Sequence, residues 1–225
     1  MRLAQIARSE FISTKNRTNS LEEILSPSYF KRYLDLFDYE ISLKPNKEKP
    51  GSGSTTHMSI IDSQGNAASV TTTNGEGCGY IIPGTGIMMN NILGEEDLNP
   101  DGFHSWETTK RMSTMMSPTI VIGDSGPELV LGSGGSNRIR SAIKQVIVNK
   151  LTKNMNLEEA IQAPRIHLEE NIIHCEPGIN TAKLIFPWST IHHWHEKNLF
   201  FGGVNAVTPT NAVGDPRRSG YGLVC

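Results

Sequence analysis

The sequence has 225 residues, 21 Lys and Arg against 23 Asp and Glu, and a formal net charge of −2. This balance gives no compositional case for nucleic acid as the main partner, and no apolar run approaches the ~20 residues of a membrane-spanning helix. Three cysteines, an odd number, argue against a disulfide framework, and the first residues lack the apolar stretch of a secretory signal. A cytoplasmic location is the expectation on these grounds.

Residues 1–41 read as helical. Ser20 and Glu23 have the spacing of a capping box, Pro27 ends or restarts that helix, and Phe30, Tyr33, Leu34 and Phe37 share one face of the next. Residues 42–54 carry Pro45, Pro50, Gly51 and Gly53 among charged groups, which is the chemistry of an exposed linker. The character changes at Thr55. Residues 55–61 and 67–73 are small and β-branched around the turn cluster Asp62–Asn66, predicting a hairpin. A glycine-rich loop with Gly75, Gly77 and Gly79 follows, then the acidic run Glu95-Glu96-Asp97. A second hairpin is predicted from Ser117–Ile122 to Glu128–Leu131. Gly132-Ser133-Gly134-Gly135-Ser136 leads into a helix with Ile139, Ala142, Ile143, Val146 and Ile147 on one face. Asn156 and Glu159 cap a shorter helix ending before Pro164, and residues 165–175 and 199–207 read as strands. The mixture predicts layered α and β elements without strict βαβ alternation.

Several patterns bear on chemistry. A linker that stops at a Thr opening a strand is one, because a free N-terminal Thr is a minimal catalyst. Its hydroxyl is the nucleophile, and its α-amine, with a reference pKa of roughly 7.7–8.0, takes the proton. Exposing it requires cutting Ser54–Thr55, a cut the Thr55 hydroxyl is placed to start; Thr56 would serve if the cut fell one residue later. The alternative is a plain linker entering a strand. The glycine turn at 132–136 lies between strand and helix, where backbone N–H groups stabilise an anion. It lacks the third glycine of a dinucleotide fingerprint and the Lys-Ser/Thr of a P-loop, leaving an oxyanion hole or a simple tight turn. Gly123-Asp124-Ser125-Gly126-Pro127 looks like a serine nucleophile motif but has the composition of a hairpin turn. Glu95, Glu96 and Asp97 form either a site for an ammonium group or metal ion, or a solvated turn. His192-His193-Trp194-His195 has no companion ligands at zinc spacing and reads as surface or groove histidines. No metal or cofactor is expected.

Together these runs resemble the γ-glutamyltranspeptidase family. The resemblance rests on Thr55-Thr56-His57-Met58-Ser59-Ile60-Ile61-Asp62, Gly86-Ile87-Met88-Met89-Asn90-Asn91, Met116-Ser117-Pro118-Thr119-Ile120-Val121 and Gly132–Arg138. Ala163-Pro164-Arg165, Gly202-Gly203-Val204 and Gly214-Asp215-Pro216-Arg217-Arg218 extend it. The motifs run in family order over residues 55–225, the span of the family's small subunit, with 1–54 resembling the tail of its large subunit.

The resemblance implies an α+β N-terminal-nucleophile hydrolase fold, a four-layer αββα sandwich of which this chain would hold only part. It implies self-cleavage between Ser54 and Thr55, attack by Thr55 on the γ-carbonyl of glutathione or another γ-glutamyl amide, and transfer of the acyl group to water or to an amino-acid or dipeptide amine. By motif position, Thr73 hydrogen-bonds the nucleophile, and Gly135 and Ser136 supply the oxyanion N–H groups, Ser136 standing where well-known members have Gly. Glu95 or Glu96 would hold the substrate amine. The paired serines that hold the α-carboxylate fall on Thr114 and Met115, with Ser113 beside them, and the head-group Asn falls on Gly75, next to Asn74. A large-subunit partner chain or segment is implied too. The alternatives are a self-processing amidase or acylase acting on a non-glutamyl group, and an inactive fragment or subunit that needs a separate large subunit.

Overall fold

The computed structural model describes residues 25–35, 55–95, 98–99, 102–106, 108–109, 111–184 and 189–225. The Ser20–Glu23 box, the linker 42–54 with Ser54, Glu96 and Asp97 lie outside the described residues. Helix α1, Pro27–Asp35, starts with Pro at a position where its missing N–H costs nothing, and the Ser26 hydroxyl accepts the Tyr29 N–H.

Strands β1 (Thr56–Ile61) and β2 (Ala67–Thr72) form the expected antiparallel hairpin. The Asp62 carboxylate closes its turn by accepting the N–H groups of Gln64 and Asn66. The second hairpin joins β3 (Thr119–Gly123) to β4 (Gly126–Gly134), and only Asp124 and Ser125 separate the two strands. The Gly-Asp-Ser-Gly run is thus a hairpin tip. Beyond β4 come α2 (Arg138–Ile147) and α3 (Leu157–Gln162). The Asn156 side chain accepts the Glu159 N–H while the Glu159 carboxylate accepts that of Asn156, a reciprocal cap. Strands β5 (Ile166–Glu169), β6 (Ile172–Cys175) and β7 (Thr190–His193) follow, then β8 (Gly203–Val207) and β9 (Ala212–Val213).

A four-stranded sheet of order β3-β4-β8-β9 forms the centre. From Leu129 on, β4 is buried at every position rather than at alternate ones, because both of its faces are covered. Leu129 and Leu131 join Ile139, Ala142, Ile143 and Val146 of α2 and Leu157, Ala160 and Ile161 of α3 in the main core. The opposite face meets the β1–β2 hairpin: a Cβ on Gly132 would overlap the His57 ring. The described residues therefore stack as helices, sheet and hairpin. The third sheet, β5-β6-β7, has a small core of Leu168, Ile173 and Cys175.

Two segments differ from the sequence expectation. Residues 165–175 make two short strands rather than one, turning at Glu170 with φ 51°. Residues 199–201 form a 3₁₀ turn ahead of β8, since the Asn198 side chain accepts the Phe200 N–H and starts a turn instead of a strand.

Candidate active site

Hairpin register brings the first pair together. Thr56 lies opposite Thr72, so one step beyond the ladder Thr55 falls opposite Thr73, on the same side as the His57–Thr71 and Ser59–Ser69 pairs. The Thr55 hydroxyl donates to the Thr73 hydroxyl at 3.0 Å, and Thr73 Oγ1 also accepts the Gly75 N–H at 2.9 Å. Thr73 is thereby fixed at both ends and points a lone pair at the Thr55 proton.

The row continues into the protein. His57 Nδ1 meets the Thr71 hydroxyl and Nε2 the Ser59 hydroxyl, both at 2.7 Å. Burial lowers the His57 pKa to about 4, so the ring is neutral at physiological pH. Asn205 on β8 donates to the His57 carbonyl and receives the Asp215 N–H, tying the strand that follows Thr55 to the central sheet.

The glycine turn lies beside this row. A Cβ on Gly134 would sit 2.5 Å from the Thr55 carbonyl oxygen, so only glycine lets β4 approach Thr55 so closely. Gly135 (φ 126°) and Ser136 (φ 49°) then reverse the chain into α2. The carbonyls of both accept N–H groups of the helix, those of Arg138 and Ile139, while neither residue's own N–H is used in a hydrogen bond among the described residues. Ser136 in a left-handed conformation is strained where glycine would not be. The arrangement is what acyl transfer requires: a hydroxyl with an oriented acceptor, and adjacent N–H groups at a helix start.

Behind the turn runs the segment 199–202, whose Gly202 Cα would lie 2.8 Å from a Cβ on Gly135. Three guanidinium groups hold its carbonyls. Arg218 takes Leu199, Arg138 takes Phe200, and Arg165 takes Phe201 and Gly202. The buried Ser133 hydroxyl accepts the Gly203 N–H and donates to the Gly134 carbonyl, joining this segment to β4. Arg165 pairs with Asp215 at 2.6 Å, while Arg217 pairs with Asp215 and Glu176, all of them buried. Breaking one partner of such a network leaves an uncompensated buried charge, which costs several kcal/mol.

The remaining sequence candidates divide. Asn74 and Gly75 flank Thr73 in a loop whose shape is set by a residue to which sequence reasoning gave no role: Asn91 Oδ1 accepts the N–H groups of Glu76 and Gly77. A Cβ on Gly75 would overlap that same oxygen. Glu95 follows Asn91 through a short 3₁₀ turn, and its carbonyl accepts from the Asn99 side chain. Thr114 is exposed and its hydroxyl accepts the Met116 N–H, whereas the Met115 side chain is buried in the main core. Any contact from Met115 to a ligand is therefore left to its backbone. The histidine run lies elsewhere: His192 and Trp194 pack on His174, and Trp194 Nε1 donates to His174 Nδ1 at 3.2 Å. Among the described residues no cluster of three or more His, Cys, Asp or Glu side chains is placed to hold a metal ion.

The family model for γ-glutamyltranspeptidase matches residues 1–225. The chain belongs to the γ-glutamyltranspeptidase family. It is 30% identical over 190 residues to a glutathione hydrolase proenzyme of Bacillus subtilis, covering 74% of this chain and 32% of that protein. It is 34% identical over 158 residues to the acylase ACY 1 proenzyme of a Pseudomonas species, covering 69% and 28%. The chain thus spans about a third of the length of these relatives. Among solved structures, γ-glutamyltranspeptidase of Pseudomonas nitroreducens complexed with L-DON superposes with a TM-score of 0.61 at 28% identity, over 76% of this chain and 99% of that one. The layered hairpin, sheet and helices are accordingly those of an N-terminal-nucleophile hydrolase.

Proposed function

We propose that this chain carries the catalytic half of a γ-glutamyl acyltransferase and hydrolase. Self-cleavage at Ser54–Thr55 frees the Thr55 amine. The Thr55 hydroxyl then attacks the γ-carbonyl of glutathione or a related γ-glutamyl amide, its proton passing to that amine and on to the leaving amine. The γ-glutamyl ester so formed is released to water or to an amino-acid or dipeptide acceptor. Thr73 aims the hydroxyl, the N–H groups of Gly135 and Ser136 take the oxyanion, and the substrate amine falls to Glu95 or Glu96. The observation that carries this reading is the 3.0 Å Thr55–Thr73 hydrogen bond beside a glycine turn with unused N–H groups.

The outer face of β1–β2 supports a partner. Met58, Ile60 and Val70 stand exposed there, an apolar face suited to a large-subunit segment or chain. Mass spectrometry of the purified chain, alone and mixed with a large-subunit polypeptide, is expected to show a new N-terminus at Thr55. A γ-glutamyl anilide is expected to release its chromophore, and Thr55→Ala to abolish both events. An intact chain and no release in the mixture would reject the reading.

A second reading has specific support. The acylase relative is about as identical to the chain as the glutathione hydrolases are, and Met115 buries its side chain where the resemblance has a hydroxyl. Transfer of a different acyl group through the same Thr55 fits both facts, and a panel of acyl anilides separates the two.

A further inference from the structure

Three arginines hold the carbonyls of residues 199–202, a fourth, Arg217, shares their carboxylates, and one of the four differs from the rest. Arg138 pairs with Glu169 at 3.4 Å, Arg165 with Asp215, and Arg217 with Glu176 and Asp215. Arg218 has no carboxylate at ion-pair distance among the described residues. Its Nη2 donates to the Leu199 carbonyl at 3.3 Å, and its Nε is buried with no acceptor. Four guanidinium groups thus meet three carboxylates, and Arg218 alone makes no direct ion pair among the described residues, Asp215 attracting it from a longer distance. Desolvation first and then the neighbouring Arg138 pull the Arg218 pKa below its usual value against the opposing attraction of Asp215, but a guanidinium stays charged.

That charge is aimed. Arg218 Nη2 lies 3.6 Å from the position a Gly135 Cβ would take. It is therefore no more than about 5 Å from the Gly135 Cα, a C–C bond being roughly 1.5 Å. Its stem occupies the space a Gly203 side chain would need, with Cβ and Cδ each 2.7 Å from that missing Cβ. Gly203 thus makes room for the arginine stem, and the Arg218 Nη2 stands within van der Waals reach of the oxyanion turn. Arg218 is half-buried with its Nε fully so, and a partly desolvated cation without a direct ion pair is tolerated where an anion forms transiently nearby.

We propose that Arg218 is a positioning residue for acyl transfer, holding a permanent positive charge against the Gly135–Ser136 turn so that its N–H groups are biased toward an anion. The proposal rests on the acyl-transfer reading, but it has a test that needs no turnover. Base-catalysed exchange of a backbone amide proceeds through a peptide anion, so a nearby cation accelerates it and removal of that cation slows it. Loosening of a turn does the opposite.

Exchange at Gly135 and Ser136, measured on the full chain from pH 7 to 9, is expected to slow about 3- to 10-fold in Arg218→Met, which keeps the stem, and likewise in Arg218→Gln. Arg218→Lys is expected to stay within about twofold of wild type, since it keeps the charge. In the cleaved enzyme the Met variant should lower kcat for a γ-glutamyl anilide about 10-fold with KM within twofold, as for an interaction made only in the transition state. Unchanged exchange, or faster exchange with a lowered unfolding midpoint, overturns the proposal in favour of a purely structural arginine. Absence of turnover in wild type would instead count against the acyl-transfer reading, and the exchange data would still decide the role of Arg218.

Discussion

The two faces of the β1–β2 hairpin invert the usual rule. Its inner face, packed on the central sheet, carries Thr55, His57, Ser59, Ser69, Thr71 and Thr73, and His57 is only 5% exposed. Its outer face carries Met58, Ile60 and Val70 at 55%, 46% and 42% exposure. A hairpin built for burial alone would turn the second set inward. The inner set is tolerated because its polar atoms find partners: the His57 ring nitrogens meet hydroxyls, and Ser59 and Ser69 reach the carbonyls of Asn205 and Leu131. What this face gains is register. A stack of cross-strand polar pairs under Thr55 fixes where its hydroxyl points, at the cost of leaving an apolar face for something else to cover.

The sharpest way to break the inner face is to fill the space that lets it close. Gly132→Val would drive a branched side chain into the His57 ring, and the interface between hairpin and sheet cannot open without losing its hydrogen bonds. Urea unfolding should show a loss of about 3 kcal/mol or more, beyond the usual cost of overpacking. A loss below about 1 kcal/mol would mean that the two layers are less tightly coupled than these distances require.

Acid tests the same face. Desolvation depresses the His57 pKa to about 4, against an ordinary value of 6.5. The unfolded chain therefore takes up a proton between those values that the folded chain refuses. Stability is fully present above pH 6.5 and is lost as pH falls toward 4. His167, lowered to about 3 chiefly by burial, and His174, lowered to about 4 by burial and by His192, act with the same sign. Thermal unfolding from pH 7 to 4 should show a falling midpoint. His57→Gln should flatten that slope by one proton's worth, and an unchanged slope would show that His57 does not contribute to it.

Thr73→Val asks what the outermost pair does. Removing its hydroxyl takes away the acceptor for Thr55 and the Gly75 N–H, a stability loss of about 1 kcal/mol. If the pair exists to orient the nucleophile, turnover of a γ-glutamyl anilide should fall about 10-fold or more, far more than the stability change explains. Equal rates for Val and Thr would remove Thr73 from the mechanism.

How much of this could be read beforehand depends on the range of the interaction. Both hairpins, the buried face of α2 and the Asn156–Glu159 cap follow from patterns a few residues long, and each is present. The Thr55–Thr73 pairing is nearly as local, since once the turn is placed at 62–66 the register follows by counting. What stayed hidden is long-range. Asn91 shapes the loop at 74–77 from fourteen residues away, and nothing in the asparagine pair reveals which carbonyl oxygen is needed. Strand β7 is legible in the sequence only as a histidine run, because its place is given by parallel pairing with β6 across an intervening segment. The arginine clamp joins residues from 138 to 218 to one four-residue stretch, and only the folded chain shows that Arg218 makes no direct ion pair. Met115 shows the converse. Motif position places it at a ligand, while packing places its side chain in the core, and an apolar side chain follows packing.

The smallest expected effect is the most informative about the outer face. Met58→Thr with Val70→Thr keeps the β-propensity of two cross-strand partners while removing their apolar surface. Both side chains are exposed, so the isolated chain should lose less than about 0.5 kcal/mol, as surface substitutions do. If that face is the seat of a large-subunit segment, the same pair should weaken assembly with the supplied polypeptide. The defect would appear in size-exclusion profiles and in the rate at which a new N-terminus forms at Thr55, with urea unfolding of the isolated chain nearly unchanged. The opposite pattern, a destabilised chain with unimpaired assembly, would mean that Met58 and Val70 pack within this chain and that the inversion of the hairpin has another cause. Inner-face and outer-face variants should therefore separate cleanly, the first read in stability and turnover, the second in association alone.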